Sequence, residues 1–135
     1  MRKRVVLVGH CGPDSSYLRT VLSSVERGVE ISAAEDERSL MTALESGVDL
    51  VLFNRLLDYG FQEVEGAKVI ARVHQQFPRA KLMLVSNYPE AQADAVAAGA
   101  LPGFGKRELG SSRVREILKS VLSEASSPMQ QSKAV

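Results

Sequence analysis

Several features that define specialised protein classes are absent from this sequence. It has one cysteine, Cys11, so no intrachain disulfide can form. No apolar run approaches the roughly 18 residues that a membrane-spanning helix needs, and the apolar run at 5–8 is too short for a signal peptide. The formal net charge is only +1, so no overall field attracts nucleic acid or a membrane surface. We therefore expect a cytoplasmic protein that binds neither nucleic acid nor membranes.

The short motifs of well-known chemistry are missing too. The sequence contains neither the Gly-x-Gly-x-x-Gly fingerprint of dinucleotide binding nor a Walker A loop. Basic residues decorate the last predicted helix, but the aromatic residues that bind single-stranded nucleic acid do not alternate with them. No Ser-His-Asp arrangement is evident. We therefore expect no cofactor, no metal and no enzymatic activity.

The composition that is present suits one globular domain. Hydrophobic residues make up 44% of the 135 residues, which is enough for a core of ordinary size. Near residue 123 the composition changes to Ser, Gln, Pro and Lys, which cannot bury enough apolar surface to fold. We predict a domain over residues 1–123 and a disordered tail over residues 124–135.

Short apolar runs alternate with helical patterns along the chain. Strands are predicted at 5–8, 29–34, 48–54, 81–86 and 101–104, each followed by residues at helical spacing. Pro102 cannot donate to a sheet ladder, so the last strand should be an edge strand or distorted. Five βα units predict a five-stranded parallel sheet with helices on both faces, a flavodoxin-like α/β fold. Right-handed crossovers then place the strand-to-helix loops at one edge; they begin near Gly9, Glu35, Asn54, Ser86 and Gly105.

Asn54 ends the third predicted strand, where an α/β sheet opens into its ligand crevice. A carboxylate at this position would be able to attack a phosphoryl group or hold a metal ion. A carboxamide is uncharged, and its nitrogen lone pair is delocalised, so it does neither well. The sequence therefore predicts the scaffold of a reaction site without its nucleophile.

Three local patterns follow one another at characteristic intervals. They are the strand of residues 49–54, the segment Phe77-Pro78 with the strand that ends at Ser86, and residues 99–106, which end at Lys106. Together they resemble the receiver domain of two-component response regulators, from residue 5 to about residue 122. In that family the third strand ends in the phosphorylated aspartate, the fourth in a Ser/Thr switch, and the fifth precedes an invariant lysine. The resemblance implies a role in signal transduction, within a phosphorelay and through a protein partner.

The sequence departs from the family at the acidic positions. The acidic pair that follows the first strand is replaced by Gly9 and His10, and the phosphoacceptor position holds Asn54. Ser86 and Lys106 are retained. Mg²⁺ is a hard cation that binds carboxylates, water and phosphate oxygens, so a pocket without these acids should bind Mg²⁺ poorly. We expect Lys106 to face the neutral amide oxygen of Asn54.

Other departures lie around the lysine. The aromatic switch position holds Gly103, unless Phe104 has shifted into it, and Arg107 stands where proline is usual. By analogy with the family, the expected interaction surface is formed by the fourth helix, fifth strand and fifth helix, with Phe104, Arg107 and Arg113 as its candidate residues.

Three features leave alternatives open. Asp14, Glu35 or Asp36 would be able to supply part of the missing negative charge, or they are ordinary capping and loop residues. The loop of residues 55–65 holds Leu56, Leu57, Tyr59 and Phe61, and it is either a lid, a docking patch or a simple cover for the sheet end. Cys11, next to His10, is either an activated thiol or an inert one.

The sequence thus favours a stand-alone, degenerate receiver domain that signals through protein contacts, with a homodimer as one option, and without phosphoryl transfer. The alternative is a flavodoxin-like module that binds a small phosphate compound, with Ser86 and Lys106 as anion contacts.

Overall fold

A computed structural model describes residues 2–57 and 60–124, and within this part of the chain the secondary structure follows the predicted order. The strands are β1 (Arg4–Val8), β2 (Glu30–Ala34), β3 (Leu50–Asn54), β4 (Leu82–Val85) and β5 (Leu101–Phe104). The helices are α1 (Gly12–Val25), α2 (Glu37–Ser46), α3 (Gly66–Gln76), α4 (Pro89–Ala97) and α5 (Ser112–Glu124). A short 3-10 helix, Lys106–Glu108, links β5 to α5 and was not predicted. The predicted disordered tail of residues 124–135 lies outside the described residues, apart from Glu124.

All five strands pair in parallel, in the order β2-β1-β3-β4-β5. This arrangement confirms the predicted five-stranded, flavodoxin-like α/β fold. β5 is an edge strand, and its pairing with β4 shifts register between Met83 and Val85. The distortion lies beside Pro102, as the missing backbone donor predicts.

The sheet is covered on both faces because successive side chains point to opposite sides of each strand. Val6 of β1 and Phe53 of β3 pack under α2, α3 and α4. Leu7 and Leu52 pack under α1 and α5, with Phe104 in the same cluster. Burial on both faces explains why the central strands read as continuous apolar runs instead of alternating ones.

This topology gathers the loops that follow the strands at the carboxyl edge of the sheet. Gly9, Glu35, Asn54, Ser86 and Gly105 therefore come together at one edge, as expected. Within residues 2–57 and 60–124, no helix is long and apolar enough to cross a membrane.

Candidate functional site

The loops after β1, β2 and β3 enclose a cleft of about 670 Å³ at the carboxyl edge of the sheet. Its chemically active lining residues are His10, Cys11, Asp14, Arg19, Glu35, Asn54 and Lys106, with Phe61 as an apolar wall. Of the five residues predicted to form the degenerate site, Gly9, His10, Asn54 and Lys106 line this cleft, whereas Ser86 lies outside it. The fold therefore brings four of these residues together in the cleft and leaves the hydroxyl group of Ser86 outside it.

Lys106 makes an ion pair that was not the expected one. Its Nζ lies 2.8 Å from Oδ2 of Asp14, in the first turn of α1, so the expectation that Lys106 would face Asn54 was wrong. A carboxylate is a stronger partner for an ammonium group than a carboxamide is, and α1 carries Asp14 within reach of the loop after β5. The hydrogen bond from Lys106 and a second one from Cys11 lower the pKa of Asp14.

His10 closes the inner end of the cleft as a neutral imidazole. Its Nε2 lies 2.9 Å from the carbonyl oxygen of Leu52 and must donate to it, because a carbonyl only accepts. Burial lowers the pKa of His10, and the positive charge of Lys106 lowers it further. Nδ1 is buried and has no hydrogen-bond partner among the described residues. Where the family carries acid, this chain holds an uncharged ring.

Asn54 uses its side chain within its own loop. Its Nδ2 donates to the carbonyl oxygen of Leu56 at 3.0 Å, which fixes the turn out of β3. The amide thus acts as a backbone-like turn element, and the position contributes neither charge nor a nucleophile to the cleft.

Gly9 has a backbone conformation and a neighbour that exclude a larger side chain. Its φ is +76°, in the left-handed region that favours glycine. A Cβ added to Gly9 would collide with Cδ2 of Leu57, which is fully buried. An acidic residue at position 9 is therefore incompatible with the present packing of the loop of residues 55–65.

The loop of residues 55–65 packs over the end of the sheet. This position bears on whether it is a lid, a docking patch or a simple cover. Leu57 and Phe61 are buried in the cluster under α2, α3 and α4. Gly60 packs on the loop after β2, and its carbonyl accepts from the amide of Glu37 at 3.2 Å. These residues cover the sheet end, whereas Leu56 and Val64 remain exposed. Tyr59 lies outside the described residues.

The donor set in the cleft does not suit Mg²⁺. Mg²⁺ needs several oxygen ligands in octahedral geometry, and the family positions that would supply them hold Gly9, His10 and Asn54. Asp14 is already engaged by Lys106. Among residues 2–57 and 60–124, no group of three His, Cys, Asp or Glu side chains is placed to hold a metal ion. The residues therefore do not fit the cation that the fold family implies.

The other candidate acids and the cysteine have separate roles. Asp36 caps α2: its Oδ1 accepts from the amide of Ser39 at 2.8 Å, and this bond lowers its pKa. Glu35 lines the cleft, and its carboxylate accepts no hydrogen bond from any described residue. Cys11 is exposed at the N-cap of α1 and hydrogen-bonds to Asp14. Of the three acids, only Asp14 supplies charge to Lys106.

Ser86 belongs to a second polar cluster, at the junction of β4 and β5. Its side chain is buried, and its Oγ accepts from the amide of Tyr88 at 3.1 Å. Beside it, Nε2 of Gln92 lies 2.8 Å from the carbonyl oxygen of Leu84, 3.1 Å from that of Ser86 and 3.3 Å from that of Phe104. Oε1 of Gln92 accepts from the amide of Gly103 at 3.2 Å. One side chain of α4 thus satisfies backbone groups of both strands where their register shifts.

Two of the residues around this junction bear on the family's aromatic switch. A Cβ at Gly103 would collide with the carbonyl oxygen of Leu84, so the position accepts only glycine in this arrangement. The ring of Phe104 is 2% exposed and packs in the core with Val114 and Leu118. The prediction that Phe104 belongs to the interaction surface was therefore wrong: β5 turns this side chain inward, toward α5.

Arg107 and Arg113 are exposed as predicted. The backbone amide of Arg107 donates to Oδ1 of Asn87 at 3.1 Å. The guanidinium of Arg107 takes no part in this bond. Arg113 pairs with Glu108 at 2.8 Å on the surface. Sequence reasoning missed Gln92 and Asn87, because neither belongs to a motif and both act through contacts with distant strands or loops.

No protein-family model and no curated protein matches this chain, but solved structures do. NtrX from Brucella abortus matches with a TM-score of 0.78 at 19% identity; the match covers 100% of this chain and 30% of NtrX. The signal receiver domain of an HD domain-containing protein from Pseudomonas fluorescens Pf-5 matches with a TM-score of 0.72 at 23% identity, over 96% of this chain and 93% of that one.

A response regulator from Thermotoga maritima matches with a TM-score of 0.71 at 21% identity, over 91% of this chain and 99% of that one. This chain has the fold of a response-regulator receiver domain. At these identities the likeness establishes the receiver fold, so the chemistry of the cleft has to be judged from its own residues.

Proposed function

We propose that this receiver fold takes part in signal transduction through protein contacts and without phosphoryl transfer or other catalysis. The observation that carries the proposal is the cleft itself, where Asn54 bonds to its own loop and Lys106 is paired with Asp14. Phosphoryl transfer requires an in-line nucleophile and positive charge on the developing anion. Here the acceptor position holds an amide, which is not a nucleophile, and the ammonium group of Lys106 already has a partner.

The junction of β4 and β5 supports the same proposal. A phosphorylation-dependent receiver needs a switch that changes its contacts when the acceptor is modified. In this chain the hydroxyl of Ser86 is bonded to the amide of Tyr88, and Gln92 ties both strands together. These contacts favour one fixed arrangement of α4 and β5, which a partner would recognise without prior modification.

The proposed contact surface consists of α4, β5 and α5. Its exposed residues include Val96, Pro102 and Arg113, together with Arg107 of the 3-10 helix that links β5 to α5; Phe104 is removed from it. This surface would bind a protein of the same pathway or a second copy of the chain. Sedimentation of the wild type and of Val96→Asp would test the homodimer, since a new charge in an apolar contact is costly.

The decisive test is incubation with acetyl phosphate, or with beryllofluoride and Mg²⁺, followed by mass spectrometry and NMR. We expect no phosphorylated species and no Mg²⁺-dependent shift of the amide signal of Asn54. The variant Asn54→Asp should also stay unlabelled, because Gly9 and His10 still provide no metal ligand. Labelling of the wild type, or a Mg²⁺-dependent shift around Asn54, would overturn the proposal. Robust labelling of Asn54→Asp would show that another acid supplies the metal site.

The alternative, a small phosphate compound as ligand, has less support from the geometry. Ser86 is buried outside the cleft, and Lys106 is neutralised by Asp14. A thermal-shift screen with phosphate compounds tests it: stabilisation of the wild type that disappears in Lys106→Ala would favour this alternative.

A further inference from the structure

We propose that a groove between α3 and α4 binds a protein segment in which a large apolar side chain is flanked by lysine or arginine. This α3–α4 groove has a volume of about 350 Å³. It is lined by Arg55, Leu56, Glu65, Ala67, Leu84, Tyr88, Glu90, Ala91 and Asp94. It shares no lining residue with the cleft and lies on the opposite side of α4 from the contact surface proposed above, so it goes beyond the proposed function.

The groove gathers apolar side chains that are exposed to solvent. Tyr88 is 52% exposed and Leu56 is 38% exposed, and both line the groove. Single exposed apolar residues are normal on a protein surface, but a group of them beside a concave wall indicates a binding site.

The outward position of Leu56 is fixed by the backbone. Leu56 and Glu65 form an antiparallel bridge, in which the amide of Leu57 donates to Val64 at 2.6 Å and that of Gly66 to Arg55 at 2.7 Å. Since neighbouring residues of an extended segment point opposite ways, the burial of Leu57 directs Leu56 outward. The apolar wall is thus ordered before any partner arrives, which lowers the entropy cost of binding.

The charges around the groove select the occupant. Three carboxylates, of Glu65, Glu90 and Asp94, line it against a single guanidinium, that of Arg55. Arg55 lies over the ring of Tyr88, with Cζ 4.6 Å from the ring centroid. Among the described residues, Glu90 and Asp94 form no ion pair, and Glu65 has only Lys68 at 3.9 Å. The negative rim favours a basic segment and disfavours an acidic or phosphorylated one.

The apolar wall and the acidic rim each make a separate demand on the partner. The exposed ring of Tyr88 and the methyl groups of the wall require a large apolar anchor, because an entirely basic segment would leave them in water. The rim requires positive charge on either side of that anchor. The partner is therefore a segment with both features, such as one face of a basic amphipathic helix.

The test uses two synthetic peptides with identical leucine positions at helical spacing, one with Lys and the other with Glu at all remaining positions. A third peptide replaces the leucines of the Lys peptide by serine. Binding to the full chain is followed by fluorescence anisotropy, and the site is mapped by amide chemical shifts. We expect only the Lys-Leu peptide to bind, with the largest shifts at Leu56, Tyr88 and Asp94.

Two double variants separate the groove from general electrostatic attraction. Glu90→Gln/Asp94→Gln should lower the affinity for the Lys-Leu peptide about tenfold, since two unpaired rim charges are lost. The matched control, Glu45→Gln/Glu116→Gln, removes the same charge from exposed positions on α2 and α5 and should change the affinity less than about twofold. Thermal unfolding of each variant checks that it is folded.

Several outcomes would overturn the proposal. They are the absence of binding by the Lys-Leu peptide, equal binding of the Glu or Ser peptide, equal losses in the two double variants, or shifts that map away from the groove. Because the peptide test involves neither phosphate nor Mg²⁺, its failure would leave the proposal of phosphorylation-independent signalling intact. Labelling by acetyl phosphate would in turn leave the groove proposal intact.

Discussion

The carboxyl edge of the sheet holds two polar clusters that are built in opposite ways. In the cleft, the charged side chains of Asp14 and Lys106 meet at a partly exposed position, beside the neutral ring of His10. At the junction of β4 and β5, the uncharged side chain of Gln92 bonds to backbone groups that are part of the sheet. The stability of the first cluster depends on pH and salt because its groups are charged. The stability of the second depends on the geometry of its hydrogen bonds.

This difference supports the proposal that the receiver fold keeps one shape without a chemical trigger. In the family that the sequence resembles, the acceptor and the switch residues act together. Here Asn54 bonds to its own loop in the cleft, and at the junction the side chains of Ser86 and Gln92 are bonded to backbone groups. A fixed junction would therefore present one binding surface under all conditions.

The largest expected effect comes from Phe104, whose carbonyl belongs to the junction and whose ring belongs to the core. Phe104→Ala should lower the free energy of unfolding by about 3–5 kcal/mol, because it leaves a cavity under α5. The exposed control Tyr88→Ala should cost less than about 1 kcal/mol. Urea unfolding measures both. A small loss in Phe104→Ala would mean that the ring is on the surface after all.

Gln92→Ala should cost about 1–3 kcal/mol, because it leaves backbone groups of β4 and β5 without a partner in a largely water-free position. The matched control Gln75→Ala, on an exposed position of α3, should stay within about 0.5 kcal/mol. Amide hydrogen exchange provides a second measurement, since the protection of Gly103 should fall in Gln92→Ala. Unchanged protection would show that the junction does not depend on this side chain.

The cleft should respond to pH through His10. Burial lowers its pKa below the ordinary value of 6.5, so the unfolded chain binds a proton more readily than the folded one. Stability is then complete above the unfolded-state pKa and decreases as the pH falls below it. Urea unfolding at several pH values should show this decrease of stability with falling pH, and the decrease should be smaller in His10→Gln. The control His74→Gln should keep the part of the pH dependence that comes from His10. If His10→Gln had the same pH dependence of stability as the wild type, the pH dependence would not come from His10.

The smallest effect is expected for the ion pair of the cleft. The double-mutant cycle of Asp14→Asn and Lys106→Met should give a coupling of about 0.2–1 kcal/mol, because both side chains are partly exposed and solvent screens them. Coupling should decrease with added salt. Since Lys106 lowers the pKa of Asp14 below 3.8, the contribution is complete above that value and disappears as the pH falls further. A coupling unaffected by salt would contradict a screened ion pair.

Local patterns predicted the fold well. The apolar runs indicated all five strands, and Pro102 indicated the distorted edge strand. These features act through backbone geometry within a few residues. The unpredicted 3-10 helix at Lys106 is too short to carry a periodic pattern.

For the candidate site, the sequence predicted which loops meet at one edge of the sheet but not the contacts of their side chains. The sequence placed Gly9, His10, Asn54 and Lys106 at one edge, because parallel topology alone brings those loops together. It assigned Lys106 to the wrong partner and Phe104 to the wrong side of β5. Both errors concern the direction of a side chain, which depends on the register of the strand and on the helix packed against it.

The sequence by itself therefore determined that this is a five-stranded α/β domain whose third strand ends in an amide instead of an acid, since periodicity and residue identity are local properties. Only the tertiary structure decided that Asp14 neutralises Lys106, that Gln92 joins β4 to β5, and that Leu56 points outward while Leu57 is buried. The physical reason is that these contacts join segments that are far apart in the chain or depend on a backbone bridge, so their energies arise only when the chain is folded.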